Sequence, residues 1–160
     1  MAVDMFIKLD DIKGESMDSK HKDEVQVLSW SWGMTQSGTT HGGPGGGAGK
    51  VNVQDLSFTK YVDTATPNLI KFCSSGKHFK EANLTVRKAG DKPLEYLKIK
   101  LSEILISSIS TGGSGGEDRL TENVTLNFAK FEVTYTGQKA DGTGAAGISV
   151  TWNIPANAEK

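Results

Sequence analysis

One cysteine, Cys73, four prolines and only two arginines, Arg87 and Arg119, occur in 160 residues. A lone thiol excludes an internal disulfide framework, and with no second cysteine and no metal-ligand spacing among the histidines a zinc site is unsupported. Charge of one sign is missing too, because 18 Lys+Arg stand against 19 Asp+Glu. Without a basic stripe the chain is not expected to bind nucleic acid. No stretch approaches the roughly 18 apolar residues of a membrane span, and the start, Met1 to Asp11, lacks the basic and apolar regions of a secretory signal. The expectation is a soluble protein made in the cytosol, not inserted in a membrane. If it leaves the cell, it does so without a cleaved signal and without disulfide staples.

What is present is enough to fold. Hydrophobic residues make up 36% and glycine contributes 19 positions. A chain of this length supports one domain over residues 1–160, with roughly 70% of its unfolded surface buried. Val3, Met5, Ile7 and Leu9 alternate with the period of a half-buried strand. Between Glu24 and Met34 the apolar parity flips, from Val25 and Val27 to Leu28, Trp30, Trp32 and Met34. Similar flips separate Val51/Val53 from Leu56/Phe58, and Val124/Leu126/Phe128 from Phe131/Val133/Tyr135. Each flip predicts a β-bulge. Further strands read at Ala82 to Arg87, Leu94 to Leu101, Ile104 to Ile109 and Ile148 to Ile154. The fold class is therefore mainly β, a single β-barrel or two-sheet sandwich of eight or so strands with one short flanking α-helix. That helix covers Thr66 to Gly76, with Thr66 as its N-terminal cap, Pro67 at its first position, Gly76 as its left-handed stop, and Leu69, Ile70 and Phe72/Cys73 as its buried stripe.

Glycines cluster in three places: His41 to Lys50, Gly112 to Gly116, and Gly137 to Gly147. None reads as strand interior, and each segment is either a floppy tip or a piece that becomes ordered against a partner. Two of them imitate catalytic motifs. A phosphate loop ending at Gly49-Lys50 needs Gly where Pro44 stands and Ser or Thr where Val51 stands. Gly112-Gly113-Ser114-Gly115-Gly116 fits a nucleophile elbow literally, but His21, His41 and His78 all precede Ser114, and a strand follows where a helix should. No catalytic residue, metal ligand or cofactor site is assigned, and the chain is not expected to be an enzyme. Ser29-Trp30-Ser31-Trp32-Gly33 is more informative. If Trp30 and Trp32 point inward, then Ser29, Ser31 and Gly33 form a small, mild outer face that meets something other than solvent.

Val3 to Lys8, Trp30 to Met34, Gly49 to Tyr61, Cys73 to His78 and above all Ser110 to Val124 resemble the haemolysin-coregulated protein (Hcp) family, over nearly the whole chain. The resemblance implies a structural tube protein of a bacterial type VI secretion system: a β-barrel with one flanking helix that forms hexameric rings, stacked into the inner tube of a contractile injection machine. It implies as partners further copies of the chain, the VgrG spike protein, contractile sheath and baseplate components, and small effector proteins held in the bore. It also implies a cytoplasmic protein that is exported through the apparatus when it fires. By the same resemblance His41, Gly42, Gly43, Pro44, Gly45, Gly46, Gly47, Ala48, Gly49 and Lys50 become an inter-protomer arm. We expect Ser29, Ser31 and Gly33 to face the bore, and rim residues Gly90, Asp91 and Asn157 to take part in ring stacking. The alternative is a monomeric barrel that binds a small ligand or carbohydrate.

Overall fold

Apolar alternation becomes a curled antiparallel sheet in the computed structural model, which describes residues 3–38 and 48–160. Among the described residues ten strands and one helix follow in the order β1 (Val3–Leu9), β2 (Val25–Gln26), β3 (Ser29–Ser31), β4 (Met34–Gly38), β5 (Ala48–Val53), β6 (Leu56–Tyr61), α1 (Thr66–Ser75), β7 (Phe79–Lys88), β8 (Leu94–Thr111), β9 (Thr121–Gln138) and β10 (Gly144–Asn153). The main sheet runs β2-β1-β7-β8-β9-β6-β3, with β10 on the far part of β9, while β4 and β5 form a separate hairpin. The two ends of this path adjoin in the chain. The Val27 N–H donates to the Met5 carbonyl and the Leu28 N–H to that of Thr59, so the link between β2 and β3 closes the sheet on itself. Inside lie Ile7, Leu56, Leu69, Leu84, Leu101, Ile104 and Leu126, all essentially inaccessible.

The parity flips have a different origin from bulges. The first marks the chain leaving the edge of β1 for that of β6, and the second the passage from the β4–β5 hairpin into β6. The third lies within β9, and there the β8–β9 register does not slip: Ser102 pairs with Lys130 and Ile104 with Phe128. Buried positions change parity on β8 as well, from Ile99 and Leu101 to Ile104 and Ile106, and on β7 between Phe79 and Ala82. Glu103 sits at this crease with φ 57°. Because all three strands switch together, pairing survives. The β8–β9 register shift falls instead between Ile106 and Ser108.

Helix α1 covers the expected residues, and Gly76 ends it at φ 66° with its N–H bonded to the Phe72 carbonyl. Thr66 is not the cap. Ala65 precedes the helix, and the Thr66 hydroxyl is drawn instead into a buried polar cluster with Lys60 and Glu122. Leu69 and Phe72 are buried as expected, but Ile70 is 42% exposed because the stripe is narrow. The expectation that no clustered glycine enters a strand also fails, since Gly49, Gly137, Gly144 and Gly147 all lie in strands. Close neighbours explain two of them. A Cβ on Gly49 would lie 2.9 Å from the Ser37 carbonyl oxygen, and one on Gly144 3.0 Å from the Leu94 side chain.

Candidate functional site

Strand β3 places Trp30 against the core and turns Ser29 and Ser31 to the exterior, as the alternation requires. Its pairing extends that exterior across the sheet. Ser29 lies opposite Thr59, which pairs with Asn123, which pairs in turn with Ser110. Ser31 lies opposite Ser57, then Thr125, then Ser108. The result is a continuous outer face of small hydroxyl and amide groups on four strands. Side chains within it bond to each other: the Thr59 hydroxyl donates to the Asn123 Oδ1 at 2.6 Å, and Ser108 and Thr125 share a bond of 2.6 Å. The face carries one carboxylate near its edge, Asp55, which accepts from the Ser107 hydroxyl at 2.7 Å and from the Asn127 amide at 2.9 Å. Such a surface donates and accepts weakly at many points and keeps its carboxylate at the edge.

Gly33 lies beyond the end of β3, half-buried, and its carbonyl accepts the Gln54 N–H. A Cβ there would touch the Gln54 side chain at 3.4 Å. It therefore borders the hydroxyl face without belonging to the paired rows. Of the glycine-rich arm, residues 41–47 lie outside the described residues. Ala48, Gly49 and Lys50 are strand β5, paired with β4, which corrects the view of the whole segment as loop. Gly90 and Asp91 occupy an exposed turn between β7 and β8, with Gly90 at φ 134°. Asn157, at φ 51°, lies in a turn that folds the tail back on Asn153. The two turns are not brought together. The first neighbours the β9–β10 turn through Lys92, whose Nζ donates to the Asp141 carbonyl, whereas the second lies at the other end of β10.

Ser57, Thr59, Ser108, Ser110, Asn123 and Thr125 were missed by sequence reasoning, although the signal was there. Each occupies the alternate position beside a buried residue of β6 or β9 or, for Ser108 and Ser110, beside the partly buried Ile109 of β8, and only the pairing joins them to Ser29 and Ser31. Ser114 stands in the β8–β9 turn, where its hydroxyl accepts the Gly116 N–H and strand β9 follows. Among the described residues no cluster of His, Cys, Asp or Glu could hold a metal ion, and no helix is long and apolar enough to cross a membrane.

A second surface flanks the first. Between the β4–β5 hairpin and the β9–β10 pair runs an open apolar groove of about 370 Å³, lined by Trp32, Met34, Val51, Val133, Val150 and Trp152 among others. Trp32 is fixed there by a bond from its Nε1 to the Gln54 carbonyl at 2.9 Å and by an edge-on contact with Phe131 at 4.9 Å.

The profile of the family described as "Type VI secretion system effector, Hcp" matches residues 6–135. A Pseudomonas aeruginosa protein described as "Protein hcp1" is 65% identical over 161 residues, 99% of each chain. The crystal structure of Hcp1 from Salmonella typhimurium aligns over the whole of both chains with 43% identity and a TM-score of 0.83. A solved type six secretion system protein aligns over 99% of this chain and 100% of its own with 31% identity and a TM-score of 0.93. Sequence over nearly the whole chain and fold agree, and the chain belongs to the Hcp family of type VI secretion system proteins.

Proposed function

We propose that the chain is the subunit of a type VI inner tube: six copies close into a ring, rings stack, and the bore carries small effector proteins against the hydroxyl face. The observation that carries this reading is the face itself. Solvent-exposed strands usually carry Lys or Glu, whereas Ser29, Ser31, Ser57, Thr59, Ser108 and Ser110 cover β3, β6 and β8 with short uncharged groups, and β9 between the last two adds Asn123 and Thr125. A bore of that chemistry holds polar cargo by many weak bonds and releases it.

Ring and tube need two different contacts. The contact around a ring is heterologous and closes, while the contact between rings is heterologous and propagates. The groove beside Trp32 and the β4–β5 hairpin supplies apolar area for the first, with residues 41–50 as the arm toward the neighbouring subunit. The turn at Gly90 and Asp91 and the tail at Asn157, at opposite ends of β10, suit the second. The VgrG spike, the contractile sheath and the baseplate are the remaining partners. The protein waits in the cytoplasm and is exported through the apparatus.

Light scattering on the eluting protein, followed by negative-stain imaging, tests the assembly. A species six times the 17.1 kDa chain mass, seen as open rings, is expected. A monomer at every concentration refutes it and favours a small-ligand or carbohydrate-binding barrel that uses the apolar groove. Ser31→Gln tests the bore: rings persist, and effector co-purification falls about tenfold, the equivalent of about 1.4 kcal/mol. Unchanged recovery of every effector refutes that part.

A further inference from the structure

Residues 13–24 leave the core at Ile12 and cross the outer side of β1 and β7 as a strap. Its two limbs are tied by backbone bonds, Gly14 N–H to the Asp23 carbonyl at 2.8 Å, Ser16 N–H to that of Glu24 at 3.0 Å, and Asp23 N–H to that of Ser16 at 2.9 Å. The limbs approach so closely that a Cβ on Gly14 would lie 2.6 Å from the Glu24 carbonyl oxygen. Under the strap are Phe6, Thr85 and Arg87, which lie outside the barrel core and are nevertheless buried. At one end Glu15 accepts the Thr64 N–H at 2.8 Å and ties the strap to the loop before α1, and over the sheet two further clamps hold it down. Arg87 grips Asp18 through both terminal nitrogens, at 2.9 and 2.7 Å, and also reaches Asp4. His21 stacks on Phe6 with ring centroids 4.5 Å apart. Its Nδ1 lies 2.8 Å from the Glu24 carboxylate of the strap, and its Nε2 lies 2.6 Å from the Glu95 carboxylate of β8.

We propose that the strap is a pH-responsive latch, closed while His21 is an imidazolium and opened when the ring loses its second proton. The chemistry is a donor count. Each ring nitrogen faces a carboxylate oxygen, an ionised carboxylate only accepts, and a neutral imidazole has one N–H to donate. On deprotonation one buried nitrogen lone pair is left pointing at a carboxylate, and the bond becomes a repulsion. The charged surroundings of the clamp support this. Glu24 and Asp18 face it from the strap, Glu95 and Lys98 from β8, Asp4 from β1, and Arg87 from β7 across the same Phe6 ring. Burial opposes ionisation of Glu95, but the bonds from His21 and Lys98 prevail and hold its pKa below the ordinary glutamate value. Glu95 thus stays an acceptor through the range in which imidazoles titrate. The Arg87–Asp18 clamp does not titrate there, so opening is confined to the His21 side. The inference is independent of the tube reading, because the latch lies within one chain.

Hydrogen exchange of the full-length protein, followed by mass spectrometry from about pH 5 to about pH 9 and corrected for intrinsic rates, reads the latch. Protection of the strap amides is expected to fall about tenfold as pH rises, the scale of one lost charge-assisted bond, while α1 is unaffected. Glu95→Gln should keep the strap closed at all these pH values, because a glutamine amide donates to a neutral imidazole as readily as its oxygen accepts from a charged one. His21→Gln should be open and flat with pH. A flat profile in the wild-type protein overturns the proposal, and so does an unchanged pH dependence in Glu95→Gln, which needs no folded His21 variant.

Discussion

Replacing Lys60 with methionine removes the cation that Glu122 and Asp63 share beneath α1. The Lys60 and Glu122 side chains are fully inaccessible; Lys60 Nζ bonds to Glu122 and lies 2.9 Å from Asp63 Oδ1 and 3.4 Å from the Thr66 hydroxyl. Without it the Glu122 carboxylate keeps, among the described residues, only the Thr66 hydroxyl as a donor, at 2.6 Å, and its second oxygen has no partner among them already. An uncompensated buried charge of this kind costs about 3–5 kcal/mol. With an unfolding entropy of about 2.1 cal/mol/K per residue, 160 residues give about 0.34 kcal/mol/K, so Lys60→Met should lower Tm by about 9–15 °C. Adding Glu122→Leu removes the stranded charge and should restore most of the loss, since apolar replacement of a buried pair is often neutral or better. Calorimetry at one fixed protein concentration is the assay, because the proposed assembly would make Tm concentration-dependent. A single-variant loss below about 1 kcal/mol, or a double variant no more stable than the single, refutes the reasoning.

Two further outcomes follow from local geometry. The hydrogen bond from Arg87 holds the Asp18 carboxyl well below the ordinary aspartate range against the opposing effect of burial. A depressed folded pKa stabilises above the unfolded value, and that contribution is lost as pH falls through the folded one. Asp18→Asn should therefore be less stable than wild type at neutral pH, with the gap closing in strong acid; denaturant titrations at several pH values check this, and a gap independent of pH refutes it. Gly76→Ala should cost about 1 kcal/mol because φ is 66° there, although a Cβ would meet open space, and Gly76→Asn should cost less. Equal urea midpoints for Gly and Ala would show that the left-handed stop contributes nothing.

Local signals in the sequence carried the local structure. Alternation located β1, β6 and β7, and the Pro67…Gly76 punctuation located α1. What escaped depends on partners far along the chain. Thr66 is a fitting cap by type, but Glu122, 56 residues away, competes for its hydroxyl. Likewise, the outer face was legible only as Ser29, Ser31 and Gly33, because no local rule says that β3 pairs with β6 or β6 with β9. Gly33 shows the reverse error, since it continues the alternation on paper after β3 has ended. Residues 41–50 group together by glycine content, yet Gly49 belongs to β5, where a neighbouring strand leaves no room for a side chain.

The parity switch ties these observations to function. In a period-two element, one residue of slip exchanges every inward side chain for an outward one. Had β9 alone been bulged between Phe128 and Phe131, its register with β8 would have moved and the pairs beyond it would be mismatched. Instead β7, β8 and β9 switch at one level, and the Leu97–Tyr135 and Ile106–Leu126 pairs stay in the same register. On one side of the crease the outward positions include charged pairs: Lys98 with Glu95, Lys100 with Glu81, and Glu132 beside Lys100. On the other side the same strands expose Ser108, Ser110, Asn123 and Thr125. A pair of 18-residue strands thus presents two outward chemistries without a second domain or a break in the sheet. In the tube subunit proposed above, the uncharged side would be the wall toward cargo and the charged side the wall toward the machinery around it, and the Ser31→Gln test falls on the first of these alone.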